Sequence, residues 1–213
     1  MRLSEADMRH HGYRRYWRLV VCCIWAAVAV GTAYGQEQKT WNYRGEVLGQ
    51  VGWGRFYHGD GLVGSGTEWG GGFGVKPFSG RLRRLGFEVQ ANRLDIAYER
   101  GSNVNDGQAT AVVGNVLYHF SDSSLQPYVA GGLGVLKADY SQRIRGGAVL
   151  GSTEDYVDTV KADHMLLNIG AGIKARLVRG LAIRPEVRFY DTTIGSGYNW
   201  ASIRFSVGVG YYW

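Results

Sequence analysis

Cysteine is absent from this chain beyond residue 23, and the two that occur, Cys22 and Cys23, are adjacent near the amino terminus. If that region is removed, neither a disulfide framework nor a thiol site remains. Proline is scarce, at 3 residues. Long apolar runs are also missing. Nothing after residue 35 approaches the ~18 consecutive apolar residues of a membrane helix. That excludes a helical membrane bundle, but a mean hydropathy of −0.19 leaves membrane strands open, because strands that alternate apolar and polar residues hide their apolar face in the average. An excess of one charge sign is lacking as well. The formal charge of +6 owes much to the first 35 residues, which hold five arginines against Glu5 and Asp7, so 24 bases and 18 acids become 19 and 16 without them. A net +3 gives no support for a nucleic-acid partner. His58, His119 and His164 have no metal-ligand spacing, and the run Gly70 to Gly74 precedes no helix that would aim amides at a phosphate. No cofactor is expected.

Residues 1–35 have the features of a targeting segment. Arg9, Arg14, Arg15 and Arg18 give a basic start, Leu19 to Val30 an apolar core, and Ala33-Tyr34-Gly35 the small residues a signal peptidase needs. Cleavage before Gln36 is expected, with Met8 a second candidate start and a single membrane anchor the alternative. The remainder, 36–213, shows no shift in composition and is expected to be one domain. Glycine is abundant at 33 residues and aromatics reach 13%, a mixture that favours β structure.

Period-two alternation runs through eight segments separated by connections rich in Gly, Ser, Asn and Asp. In the last, Ala201, Ile203, Phe205, Val207, Val209, Tyr211 and Trp213 share one face, opposite Ser202, Arg204, Ser206, Gly208 and Gly210. An apolar face that long needs an apolar medium. The sixth segment sets Met165, Leu167, Ile169 and Ile173 against Asn168, Gly170, Gly172, Lys174 and Arg176, and the seventh sets Leu181, Ile183 and Val187 against Arg184, Glu186 and Arg188. In the first, Val47, Val51 and Trp53 oppose Glu46 and Gln50; in the second, Trp69 and Phe73 oppose glycines. The third pairs Leu85, Phe87 and Val89 against Glu88 and Gln90, but its apolar parity then slips to Leu94 and Ile96, which predicts a β-bulge near Asn92. The fourth runs from Val112 to Phe120, and the fifth, from Pro127 to about Leu136, is apolar or glycine on both faces. Connections after even-numbered segments are short and those after odd-numbered segments longer, above all Ala138 to Asp163. That is the pattern of short periplasmic turns and long external loops in an eight-stranded antiparallel up-and-down transmembrane barrel.

The stretches Gly114-Asn115-Val116-Leu117-Tyr118-His119-Phe120, Pro127 to Val135, Arg184-Pro185-Glu186-Val187-Arg188-Phe189-Tyr190 and the alternating C-terminal segment, taken in order, resemble the OmpA/OmpX-type family of small outer-membrane β-barrels. The resemblance covers nearly all of residues 36–213. It implies location in the outer membrane of a Gram-negative cell envelope after export to the periplasm, contact with outer-membrane lipid and lipopolysaccharide, and a monomeric state. It also implies recognition of the terminal strand, here ending at Trp213, by the barrel-insertion machinery. The peptidoglycan-binding domain that often follows such barrels is not expected here. Because the family shares no single activity, the implied role is structural or surface-interacting, and not enzymatic.

Glu88, Lys174, Arg176, Arg184, Glu186, Arg188 and Arg204 all fall on the inward face. The interior of eight strands is about wide enough for side chains to fill, so these charges are expected to pair across the lumen and plug it. A narrow channel for small solutes or ions is the alternative. Trp53, Trp69, Phe120, Tyr211 and Trp213 fall outward near segment ends, where amphipathic rings suit a membrane interface. Two further classes remain to be weighed. A soluble lipocalin-like ligand binder would keep its large apolar residues inside. A lipid A deacylase would use a His and a Ser two residues apart, as in His119-Phe120-Ser121, but that pair sits at a short turn. The loop expected over Ala138 to Asp163, with Arg143, Arg145, Glu154, Asp155 and Asp158, is a candidate ligand-binding surface.

Overall fold

The computed structural model describes residues 41–58, 61–100, 103–144, 156–192 and 200–213. The expected targeting segment lies outside them. The strands are β1 (Gly45–His58), β2 (Gly61–Val75), β3 (Leu85–Arg100), β4 (Asn103–His119), β5 (Leu125–Ile144), β6 (Tyr156–Val178), β7 (Leu181–Asp191) and β8 (Trp200–Tyr212). Each pairs antiparallel with its neighbour in sequence, and β8 returns to β1 from Glu46↔Tyr212 to His58↔Trp200, which closes the barrel. Closure leaves no sheet edge along the seam.

Alternation becomes geometry because successive side chains on a strand point to opposite faces of the wall. Val51 is 65% exposed, Phe73 51%, Leu133 56% and Phe205 55%, all on the outside, while Glu46, Glu88, Lys174 and Arg184 are buried within. Two dozen large apolar side chains are exposed in this way. About half of each is still exposed, so each would gain roughly 1 kcal/mol by leaving water, and together they leave some tens of kcal/mol unrealised in an aqueous setting. The outer wall is therefore built for hydrocarbon.

The belt has a definite upper limit. Moving away from the short turns, outward positions change from Val51 and Trp53 to Arg55 on β1, from Val89 and Ala91 to Arg93 and Asp95 on β3, and from Val135 to Lys137 and Asp139 on β5. At the same height the interior becomes apolar, with Phe56, Leu94, Ala109, Ala111, Val113, Leu136, Leu166 and Tyr190 packed as one cluster. Above the belt the barrel thus inverts to the ordinary arrangement of a water-soluble sheet.

That inversion corrects the reading of β3. No bulge occurs near Asn92: β3 keeps continuous register with β2 and β4 through Gly70↔Asn92 and Asn92↔Ala111. Leu94 is 1% exposed and points inward. The apolar parity changes because the medium changes, not because the strand slips. The irregularities lie instead at Phe56/Tyr57 and at Arg176/Val178.

The expected long loops are corrected by the same cause. β3 and β4 run to Arg100 and from Asn103, and the segment read as a loop over Ala138 to Asp163 is largely strand, with β5 reaching Ile144 and β6 starting at Tyr156. Residues 145–155 of that segment, with Arg145, Glu154 and Asp155, lie outside the described residues. β5 and β6, at 20 and 23 residues, are roughly twice the length of β7, at 11. The wall is consequently tall on the β3–β6 side. At the opposite end β6 turns into β7 through Gly180 at φ 82°, a backbone conformation that glycine adopts without steric penalty.

Candidate functional site

Among the described residues the densest polar chemistry lies in the lumen, and β7 supplies half of its charged groups. Because the strand alternates, Arg184, Glu186 and Arg188 all point inward on one short segment. Glu186 lies between the two arginines, 2.6 Å from Arg184 Nη2 and 3.0 Å from Arg188 Nη2. Across the barrel Glu88 of β3 accepts from both, at 3.2 Å from Arg184 Nη2 and 2.9 Å from Arg188 Nη2. Lys174 of β6 donates to Glu46 of β1 at 2.6 Å, and Arg184 lies 3.6 Å from the same carboxylate. Three acids thus face three bases, and the cluster is neutral.

Neutral donors and acceptors complete it. The Tyr128 hydroxyl accepts from Arg184 Nε at 2.6 Å and donates to Glu186. Asn168 Oδ1 accepts from Arg188 at 3.1 Å, and the Tyr43 hydroxyl accepts from Lys174 at 2.7 Å. Inward glycines provide the volume: a Cβ at Gly170 would stand 2.6 Å from Arg188 Cγ, and one at Gly74 2.6 Å from Glu46 Oε1. Buried ions cost several kcal/mol each when unpaired, so their mutual pairing and hydrogen bonding is what allows them to occupy this interior.

Both ends of the cluster are covered. At the short-turn end, Trp41, Tyr43 and Tyr212 form an aromatic cap, with Trp41 and Tyr43 each 4.9 Å from Tyr212 by ring centroid. Trp41 is tied to the β4–β5 turn, donating its N–H to Asp122 O at 2.7 Å and accepting from Gln126 at 2.8 Å. Burial pushes the Lys76 ammonium at this rim below its ordinary value, opposed by Asp122 and Glu46. Towards the other end, Arg204 lies over the Tyr190 ring at 3.8 Å and 3.6 Å from Glu68, beneath the apolar cluster around Leu94.

Of the inward charges singled out in the sequence, Glu88, Lys174, Arg184, Glu186 and Arg188 meet in one cluster, and Arg204 joins Glu68 above it. Arg176 does not take part. It has the inward parity, but at the β6 end, beside the register shift, it is half-buried and in no ion pair among the described residues. Its long side chain can reach water there. Glu46 and Glu68 were missed as pairing partners although their parity was readable. Tyr43 and Tyr128 carried no charge to signal them.

Trp53 and Trp69 face outward at the upper limit of the belt, and Tyr211 and Trp213 face outward at the lower limit, 6.2 Å apart and stacked. Phe120 is half-buried, just past β4, with its ring 5.3 Å from Tyr118. Phe73, Phe78, Phe87 and Tyr118 stand exposed at the same end.

The His119 and Ser121 pair forms no dyad. His119 Nδ1 donates to Arg84 O at 3.1 Å, so Nε2 is left to accept from the Tyr43 hydroxyl at 3.1 Å. Ser121 bonds Ser123 and Leu125 O, each at 2.8 Å. A soluble ligand binder is contradicted by placement, since the large apolar side chains stand outside the belt and the ions inside. No group of three or more metal-ligating side chains occurs among the described residues.

No family model matches the chain, and no curated protein matches it. Solved structures do. Neisserial surface protein A is 18% identical with a TM-score of 0.58, over 79% of this chain and 97% of that one. Ail, the attachment invasion locus protein of Yersinia pestis, is 15% identical with a TM-score of 0.50, over 80% and 99%. A major outer membrane protein from Thermus thermophilus is 11% identical with a TM-score of 0.50, over 79% and 99%. The chain has the fold of the small outer-membrane β-barrels, and its apolar belt suits that setting.

Proposed function

We propose that the protein is an integral outer-membrane barrel with a sealed lumen, whose role is structural or surface-interacting and is carried by the wall that rises beyond the membrane. The observation that carries this reading is the neutral ion cluster held between an aromatic cap and an apolar cluster. Side chains fill the interior, as the size of eight strands requires, and an ion entering it would have to break pairs that are already satisfied. On the outside, lipid and lipopolysaccharide contact the belt. The aromatic side chains at its two limits, Trp53 and Trp69 above and Phe120, Tyr211 and Trp213 below, serve as its interface girdles.

The surface available to partners is the part of β3 to β6 above the belt. Its exposed residues include Arg93, Asp95, Lys137, Asp139 and Asp163, of mixed sign. An interaction role of this kind is in keeping with Ail, by name an attachment invasion locus protein.

Planar-bilayer recording of the purified, folded protein tests the sealed lumen. We expect no steady open-pore conductance. Steady conductance would instead support the alternative, a narrow channel. Membrane fractionation with unheated and heated gel electrophoresis tests the membrane assignment, since a detergent-resistant barrel shifts its mobility only on boiling. Recovery in the aqueous fraction with one mobility would overturn it.

A further inference from the structure

The two ends of the barrel differ in charge. Beyond the belt at the strand-rich end the exposed charges are mixed, with Arg55, Arg93 and Lys137 among Asp95, Asp139 and Asp163. At the short-turn end Arg44, Arg81, Arg83, Arg84, Arg176 and Arg179 are at least partly exposed, and the acid beside them among the described residues is Asp122. Asp122 lies 2.9 Å from Arg83 and 3.9 Å from Arg84, and its side chain is largely buried. It offsets about one charge of this collar, which leaves the rim strongly cationic.

The turn between β2 and β3 carries a second, independent signal. Phe78 and Leu82 are 42% and 52% exposed there, interspersed with Arg81, Arg83 and Arg84. Phe78 packs 6.0 Å from Phe87, so the turn's apolar surface is continuous with the belt. A turn that projected into water would have no reason to expose a leucine and a phenylalanine. One lying at the level of lipid headgroups would, because the two apolar side chains then reach acyl chains while the arginine heads extend to the phosphate layer along their aliphatic stems.

We infer that this turn, with the arginine collar around it, binds the phosphate headgroups of anionic phospholipids in the leaflet at the short-turn end. Guanidinium groups match phosphate oxygens in a bidentate fashion. The inference rests on the proposed function, in which the belt faces lipid.

The test reconstitutes the full barrel in phosphatidylcholine vesicles and compares the association of spin-labelled phosphatidylglycerol and spin-labelled phosphatidylcholine. We expect the anionic probe to be favoured about fivefold at the tightest sites, the worth of roughly one interfacial arginine, and the preference to fall as salt is raised. R81Q/R83Q/R84Q should bring it close to one. Because Arg83 and Arg84 pair with Asp122, R81Q/R44Q serves as a second variant that touches no ion pair among the described residues, and it should lower the preference in part. Heat-dependent mobility checks that each variant is folded. Equal association of the two probes with the wild type, or a preference that neither variant changes, overturns the inference while leaving the membrane assignment intact. Retention on purified peptidoglycan without any lipid preference also overturns it. Failure of the wild type to enter vesicles overturns the membrane assignment first.

Discussion

Glu88 accepts from Arg184 and Arg188 together, so one carboxylate serves two buried guanidinium groups. Glu88→Gln should lower the stability of the folded barrel by about 3–5 kcal/mol, the usual cost of stranding a buried charge, read as a lower midpoint in urea unfolding from vesicles. The pair Glu46 and Lys174 offers the complementary case. Either Glu46→Met or Lys174→Met alone should be costly, whereas the double variant should recover most of the loss, because apolar side chains of similar volume can replace a buried ion pair. Unfolding midpoints of the three variants check this. At this scale parity was the legible quantity: it placed Glu88, Lys174 and the three β7 charges on one face. Depth was not legible. Parity gave Arg176 the same face as Lys174, yet two residues nearer the strand end its side chain comes partly out of the lumen. Glu46, by contrast, was legible as inward but not as the partner of Lys174 of β6, since nothing local in β1 records what lies across the barrel.

Leu94 shows how an element can mislead when read by apolar pattern alone. An alternation rule assumes one medium along the whole strand, and β3 passes through two. Outward Val89 meets hydrocarbon, while inward Leu94 joins the apolar cluster above it. Leu94→Ala should therefore cost about 2–5 kcal/mol as a core truncation, and Val89→Ala clearly less, by urea unfolding. Cysteine substitution gives a sharper readout: Arg93→Cys should react with a membrane-impermeant thiol reagent in intact vesicles, and Leu94→Cys should not. A bulge near Asn92 would reverse that order. Strand number and order were readable from alternation, but strand length was not, because the pattern loses its phase where β4, β5 and β6 leave the belt. The β6–β7 turn is a different kind of constraint. A Cβ at Gly180 would stand 2.8 Å from the Tyr211 ring at a φ of 82°, so Gly180→Ala should destabilise by about 1–3 kcal/mol, with a lower unfolding midpoint.

At the scale of the whole molecule, the barrel within the belt and the wall above it are separable. Asp139 and Lys161 are register partners on β5 and β6 above the belt. Joining them by a short turn in place of residues 140–160 should leave vesicle insertion and heat-dependent mobility unchanged while removing the tallest part of the wall. Loss of the folded gel form in that variant would show that the wall contributes to the barrel itself. Fold class was legible from the sequence because eight segments of similar length recur and the fourth, sixth, seventh and eighth repeat one face assignment. A partner for the proposed surface role was not, because the residues above the belt have the composition of any exposed sheet.

The ion cluster has one more consequence, for the order in which the chain can assemble. Among the described residues, the buried lumen charges of the first four strands, Glu46, Glu68 and Glu88, are all acidic. Those described in the last four, Lys174, Arg184, Glu186, Arg188 and Arg204, are four bases and a single acid. On these strands each half therefore carries three unbalanced charges, of opposite sign, and although Lys76 at the rim after β2 offsets one of the acids, neither half can neutralise itself. A partly assembled sheet in the bilayer would have to keep that face hydrated, and only the meeting of β1 with β8 lets the water leave. Ring closure and desolvation are thus one event, which favours a cooperative transition and disfavours any stable half-barrel. The same complementarity should also guide the two halves toward each other before a single hydrogen bond of the seam has formed.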